Sequence, residues 1–218
     1  MLSLISGDLG LTTGQAGSLV TWTLVGAVIG GFIFGTLSDK FGRVRVLTWT
    51  ILLFAIFTGL CAFAQGYWDL LIYRTIAGIG LGGEFGIGMA LAAEAWPAQH
   101  RAKATSYVAI GWQLGVLAAA LLTPVLLPYI GWRGMFMVGI IPAFVAWFFR
   151  AKLHEPEIFV QSKETKNHSH TNSFKLLVKD VRTTKTSIGV AILTSVQNFG
   201  YYGIMIWLPN FLSKQLGF

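Results

Sequence analysis

Charge is scarce in this sequence. Asp, Glu, Lys and Arg make up 11% of its 218 residues, whereas about a quarter of a soluble domain is charged. That scarcity, with 54% hydrophobic residues and 26 glycines, excludes an ordinary water-soluble domain. Cysteine is scarcer still. Cys61 stands alone, so no intrachain disulfide or multi-cysteine metal site can form. It lies in an apolar stretch and is expected to pack as a small hydrophobe. Acidic residues number 9 against 16 basic ones, a net charge of +7. Such an excess on a polar scaffold would point to nucleic acid, but here the basic residues sit between long apolar runs, and no nucleic-acid partner is expected.

A spanning helix needs about 20 mostly apolar residues. Six segments qualify: 17 to 38, 46 to 65, 69 to 93, 104 to 128, 133 to 150 and 187 to 209. None alternates as the strands of a membrane barrel would, so the expected fold class is an all-α membrane protein. Lys40, Arg43, Arg45, Arg101, Lys103, Arg150, Lys152, Lys163, Lys166, Lys175, Lys179, Arg182 and Lys185 all fall in alternate connections. These thirteen of the sixteen basic residues mark their loops as cytoplasmic by the positive-inside rule. Both chain ends then lie outside, in a multi-pass protein expected in a plasma membrane, the bacterial inner membrane in particular. Residues 1 to 16 do not resemble a signal peptide, and "MLSLIS" reads as the tail of a helix, so a fragment of a longer protein is expected.

Outer loops such as "GYWD" and "YIGW" allow only tight hairpins. The polar stretch 151 to 186 is the place for a boundary between two membrane bundles. His168 and His170 within it, two residues apart with no cysteine beside them, read as part of a solvated linker rather than a metal site. "FKLLVKDV", residues 174 to 181, has the pattern of a short amphipathic helix at the membrane surface.

The densest charge follows the first span, in "FGTLSDKFGRVRV". Gly35 and the upstream "GAVIG" and "GFIFG" continue a small-xxx-small pattern that lets helices approach. Asp39 can cap a helix or pair with an arginine, and Gly42 permits a sharp turn. In the third span Arg74 and Glu84 stand ten residues apart, about 15 Å by helical rise. Ionisable groups at that depth are expected to face the bundle interior. Arg74 suits an anionic substrate or a buried acid, and Glu84 a transported proton or a structural pair. Gly78, Gly82 and Gly86 form a packing groove; "GIGLGGEFG" has neither the preceding strand nor the lysine of a nucleotide loop. Gln113 can hydrogen-bond a substrate or a neighbouring helix. Gln197, Asn198, Tyr201 and Tyr202 share one helical face, suited to a polar solute or to an interface.

"GTLSDKFGRVRV" resembles the signature loop of the major facilitator superfamily, G-x-x-x-D-R/K-x-G-R-x-R/K, with Gly35, Asp39, Lys40, Gly42, Arg43 and Arg45 all matching. "YRTIAGIGLGGEFG" is similar to that family's fourth helix. "AEAWPAQHRAKA" is similar to its following loop, Glu94 and Arg101 fitting the E-x6-R pattern of the sugar-porter-like branch. "LHEPEIF" resembles a P-E-S-P-R element through Glu155 and Pro156 but lacks its basic residue. The resemblance implies a partial major facilitator fold, about six of twelve transmembrane helices. Residues 1–150 would be the N-terminal bundle without its first helix, 151–186 the cytoplasmic linker, and 187–218 the first helix of the C-terminal bundle. It further implies alternating-access transport of a small polar metabolite, an organic acid or acidic sugar, by proton symport, with no cofactor and no enzyme activity. Arg74, Gln113, Gln197, Asn198, Tyr201 and Tyr202 would bind the solute and Glu84 the proton. Gly35, Asp39, Gly42, Arg43, Arg45, Glu94 and Arg101 would form a cytoplasmic gate against the missing C-terminal bundle. The alternatives are a neutral-sugar porter and a truncated, non-transporting membrane protein.

Overall fold

The computed structural model describes residues 2 to 150 and 179 to 204, all helices, turns and bends. Residues 151–178 of the expected linker, with His168, His170, the Glu155–Pro156 element and the amphipathic segment before Lys179, lie outside the described residues. The chain divides into two compact units, residues 1–167 and 168–218.

In the first unit, α1 is Leu2–Asp8, α2 Thr13–Phe41, α3 Arg43–Leu60, α4 Tyr67–Ala95 and α5 Arg101–Arg150. Single turns of 3-10 helix, Cys61–Phe63 and Ala98–His100, precede the last two. Among the described residues four stretches are long and apolar enough to cross a membrane: Thr13–Phe41, Arg43–Phe63, Tyr67–Ala95 and Ala98–Arg150. The last is two spans in one, because Gly131 breaks it with φ 63° and ψ −177°. The first five expected spans are therefore helices, most of them longer at both ends than their apolar cores. In the second unit α6, Val181–Tyr202, begins six residues before the expected sixth span.

Local chemistry sets the boundaries. Thr12 and Gln15 form a capping box ahead of α2: Gln15 N–H donates to Thr12 Oγ1 at 3.2 Å, and Thr12 N–H to Gln15 Oε1 at 2.9 Å. At its other end Gly42 has φ 111°, a conformation open to glycine, so α2 stops and α3 starts at the next residue. Pro97, two residues past Ala95, holds the C-cap Trp96 in an extended conformation (φ −113°, ψ 147°) and so prevents continuation of α4.

Two apolar clusters fix the path of the chain. At the outer end Ile5, Leu19, Cys61, Ala62, Ala64, Leu70, Trp132 and Phe136 pack together. At the inner end Val46, Leu47, Ile51, Ala55, Ile87 and Ala143 do the same, with Trp147 beside them. Thus α5 leaves the inner side at Arg101, turns at Gly131 in the outer cluster, and returns. Cys61 is fully buried, its thiol donating to the Phe57 carbonyl at 3.2 Å.

Between the clusters α2 and α4 cross backbone against backbone. A methyl group on Gly26 or Gly30 would strike Thr75 or Ile79, and one on Gly78 or Gly82 would strike Thr23 or Ala27. Membrane helices lack a hydrophobic drive to associate, so such close contact supplies their attraction. Gly35 and Gly86 correct the expected pattern, since nothing lies within 4 Å of a Cβ at either position. The outward faces are apolar. Trp68 and Tyr129, 69% and 86% exposed, stand near the outer ends of their helices, as residues of an interfacial aromatic belt do.

Candidate functional site

The inner ends of α2, α3 and α4 meet at Arg43. Its Nε donates to both Glu94 oxygens at 3.2 Å, and Nη2 to Glu94 Oε1 at 3.1 Å. Nη1 pairs with Asp39 Oδ1 at 2.7 Å and donates to Ser38 Oγ, also at 2.7 Å. A planar guanidinium can satisfy several acceptors only in such a fork, which lysine could not reproduce. The turn at Gly42 is what allows it. With α3 starting one residue after α2 ends, Arg43 lies four residues from Asp39 and still faces α4. Arg101 is exposed and donates through Nε to the Trp96 carbonyl at 3.3 Å, while Arg45 is exposed on the first turn of α3. Among the expected gate residues, Asp39, Arg43 and Glu94 are brought into direct contact, Gly42 shapes the turn, and Gly35 offers its carbonyl to Ser38 Oγ–H at 2.8 Å.

Deeper in the bundle Arg74 and Glu84 each have a separate setting. The Arg74 guanidinium lies over the Phe136 ring, 5.9 Å from its centre, beside Cys61. Among the described residues no carboxylate pairs with it. Glu84, further towards the inner end of α4, is acted on by Arg150 at the end of α5. Arg150 Nη1 is buried without a hydrogen-bond partner among the described residues. Arg150 was legible in the sequence only as one more cytoplasmic charge; its relation to Glu84 depends on the return limb of α5 packing beside α4. Gln113 sits exposed on the outgoing limb of α5, next to Trp112, whose ring meets Phe85 edge-on at 6.3 Å.

In the second unit Gln197 and Asn198 are exposed on α6, and Tyr201 and Tyr202 are half-buried with their rings 5.5 Å apart. Asn198 Nδ2 donates to the Thr194 carbonyl at 2.9 Å, so part of its amide is committed to its own helix.

Sequence reading missed a cluster on the outer side. Asp8 Oδ2 accepts from Trp132 Nε1 at 3.0 Å and from Arg133 Nη1 at 2.8 Å. Arg133 Nη2 donates to the Ala64 carbonyl at 3.1 Å, and its guanidinium lies 4.3 Å from the centre of the Trp132 ring. Clefts of about 530 and 630 Å³ flank it. The available signal was the sparseness of charge there: Asp8, Asp69 and Arg133 are the charged residues of these outer turns.

The profile of the Major Facilitator Superfamily matches residues 1–218. The chain belongs to this family. A Haemophilus influenzae protein named "Putative metabolite transport protein" is 77% identical across the whole chain, which covers 55% of that protein. The cis,cis-muconate transport protein of Acinetobacter baylyi is 35% identical over 99% of the chain and 53% of its own length. Among solved structures, the proton:xylose symporter XylE bound to 6-bromo-6-deoxy-D-glucose matches with a TM-score of 0.63 at 26% identity, over 74% of this chain and 41% of that one. The chain spans about half the length of the curated relatives it matches. Its fold is a partial major facilitator fold, and its family is one of transporters rather than enzymes. With bacterial relatives and helical spans, it is a multi-pass protein of the bacterial inner membrane; outer-membrane proteins of bacteria are barrels.

Proposed function

We propose that this chain forms half of a secondary carrier for a small organic acid, driven by proton symport. The observation that carries the reading is Arg74, partly buried against Phe136 and paired with no carboxylate among the described residues. A cation held in a membrane bundle without a counter-ion is suited to an anionic solute. The muconate-carrying relative supports the acid class. Glu84, near Arg150 and without a hydrogen-bond partner among the described residues, is the candidate proton carrier. Gln113, Gln197, Asn198, Tyr201 and Tyr202 are candidates for the solute's polar groups. Asp39, Arg43 and Glu94, with Gly35, Gly42, Arg45 and Arg101 around them, act as a cytoplasmic gate that closes against the second bundle. Residues 1–150 would belong to the N-terminal bundle, 151–186 to the linker and 187–218 to the C-terminal bundle. The two bundles rock about a midplane site.

Proteoliposomes holding this chain, supplied with cis,cis-muconate and an inward proton gradient, test the reading. Uptake is expected to fall at least about tenfold in Arg74→Gln, a loss of roughly 1.4 kcal/mol or more of binding. Glu84→Gln is expected to abolish the response to the gradient while exchange of preloaded solute persists. Equal binding of D-xylose and muconate with Arg74→Gln silent would remove the acid assignment. Uptake indifferent to the gradient would remove the symport assignment. Likeness to a proton:xylose symporter favours a second reading, a neutral-sugar porter, which the same comparison separates.

A further inference from the structure

We infer that Ser38 is the positioning residue of the cytoplasmic gate, fixing which edge of Arg43 is presented to Glu94. This deepens the gate reading above and rests on it. Ser38 is fully buried, at 0% exposure. Its hydroxyl has one proton, and that proton goes to the Gly35 carbonyl at 2.8 Å. What remains towards Arg43 is lone pair, so Oγ accepts from Nη1 at 2.7 Å and cannot compete with it as a donor. The Ser38 carbonyl is also engaged, accepting the Gly42 N–H at 3.2 Å where α2 ends. Ser38 is therefore held on both sides of the turn before Arg43 reaches it.

The consequence lies in the geometry of the fork. Arg43 is placed between two carboxylates on different helices: Asp39, 41% exposed, and Glu94, 26% exposed. A long arginine side chain between two such acceptors can turn either edge to either one. Ser38 supplies a third, uncharged acceptor on the Nη1 side, next to Asp39, and so leaves the Nε and Nη2 edge for Glu94. That edge makes the charge-assisted contacts which tie α3 to α4. Without the hydroxyl, Nη1 has the water-exposed Asp39 alone. Arg43 then swings outward with it, and the α3–α4 tie loosens while every charge remains present. Asp39, Arg43 and Glu94 were legible from the signature residues; Ser38 was not, because a serine before the aspartate has no chemistry of its own until Arg43 folds back over it.

The test uses the whole chain in inverted membrane vesicles. Cys61→Ala removes the native thiol, and Val46→Cys places a reporter at a position that is 0% exposed, one turn beyond Arg43. N-ethylmaleimide labelling of the reporter then reads opening of the cytoplasmic end. Ser38→Ala is expected to raise the labelling rate at least about threefold, and Ser38→Gly, a second variant without the hydroxyl, to do the same. Ser38→Thr keeps the oxygen and is expected to label at the parent rate. In a Glu94→Gln background, itself labelled faster, Ser38→Ala is expected to add nothing, because the contact it directs is already gone. The inference is overturned if the hydroxyl-free variants label at the parent rate, if Ser38→Thr matches Ser38→Ala, or if Ser38→Ala gives the same factor with Glu94→Gln. Failure of the gate reading is distinguishable: Glu94→Gln alone would then leave labelling unchanged.

Discussion

Asp8 and Arg133 lie 125 positions apart in the chain and meet at 2.8 Å on the outer side of the bundle, with Trp132 sharing the same carboxylate oxygen. The ion pair is half exposed, 46% and 48%, and such pairs contribute about 0–1 kcal/mol. Trp132, 6% exposed, instead fills the outer cluster, where truncation of a large aromatic costs about 3–5 kcal/mol. Asp8→Ala is therefore expected to destabilise by about 1 kcal/mol or less, and Trp132→Ala several times more. Denaturant titration of the detergent-solubilised chain checks the order. Added salt should reduce the Asp8 effect and leave the Trp132 effect unchanged.

Gly82 and Gly86 occupy the same helix one turn apart, yet they are expected to respond with opposite sign. A Cβ on Gly82 runs into the Ala27 backbone, whereas a Cβ on Gly86 meets open space. Gly82→Ala must push α2 away from α4 and should cost about 1–3 kcal/mol. Gly86→Ala should stabilise the helix by up to about 1 kcal/mol. Parallel thermal melts in detergent compare them, and equal shifts would contradict the close crossing.

At the outer turn, Gly131 holds φ 63° with ψ −177°, a region essentially restricted to glycine. Gly131→Ala is expected to cost about 1–3 kcal/mol through backbone strain, although a Cβ there meets nothing within 4 Å. A variant as stable as the parent would show that the two limbs of α5 do not need this conformation.

The start of α6 carries a pH dependence whose sign follows from Asp180. Its carboxylate accepts the Thr183 backbone N–H at 2.8 Å and the Thr183 hydroxyl at 3.0 Å. The backbone hydrogen bond is the main reason its pKa lies below the ordinary 3.8. A depressed folded-state pKa contributes stability that is present above the unfolded value and lost as pH falls through the folded one. The protection of the Thr183 amide, the slowing of its exchange relative to that of an unstructured amide at the same pH, should thus be high at neutral pH and fall as the solution is acidified below about 3.8. In Asp180→Ala the pH-dependent part of that protection should be absent. Hydrogen exchange followed by mass spectrometry over the first turn of α6 reads both.

Much of the fold was legible because membrane insertion imposes length and charge rules that composition displays directly. The apolar runs matched the helices of the first unit, and Lys40, Arg43, Arg45, Arg101 and Lys103 all lie at one end of them. The tight turn at Gly42 and the contact of Arg43 with Asp39 were legible because they are local, within four residues. Contacts between distant segments were not. Glu84 meets the field of Arg150, and Asp8 meets Trp132, only because α5 doubles back at Gly131, a path that no short window of sequence encodes. Glycine spacing was a partial guide for the same reason. Gly26, Gly30, Gly78 and Gly82 face a partner helix while Gly35 and Gly86 do not, since helix rotation decides which members of a repeated pattern are used.

The crossing of α2 and α4 has a mechanical corollary. Where side chains separate two helices, rotamer changes let one slide past the other by fractions of a turn. Here peptide edges abut directly at Gly26, Gly30, Gly78 and Gly82, with no compliant layer between them. Any rearrangement of the bundle must carry this pair as one stiff strut, transmitting displacement at its inner tip to its outer tip undamped.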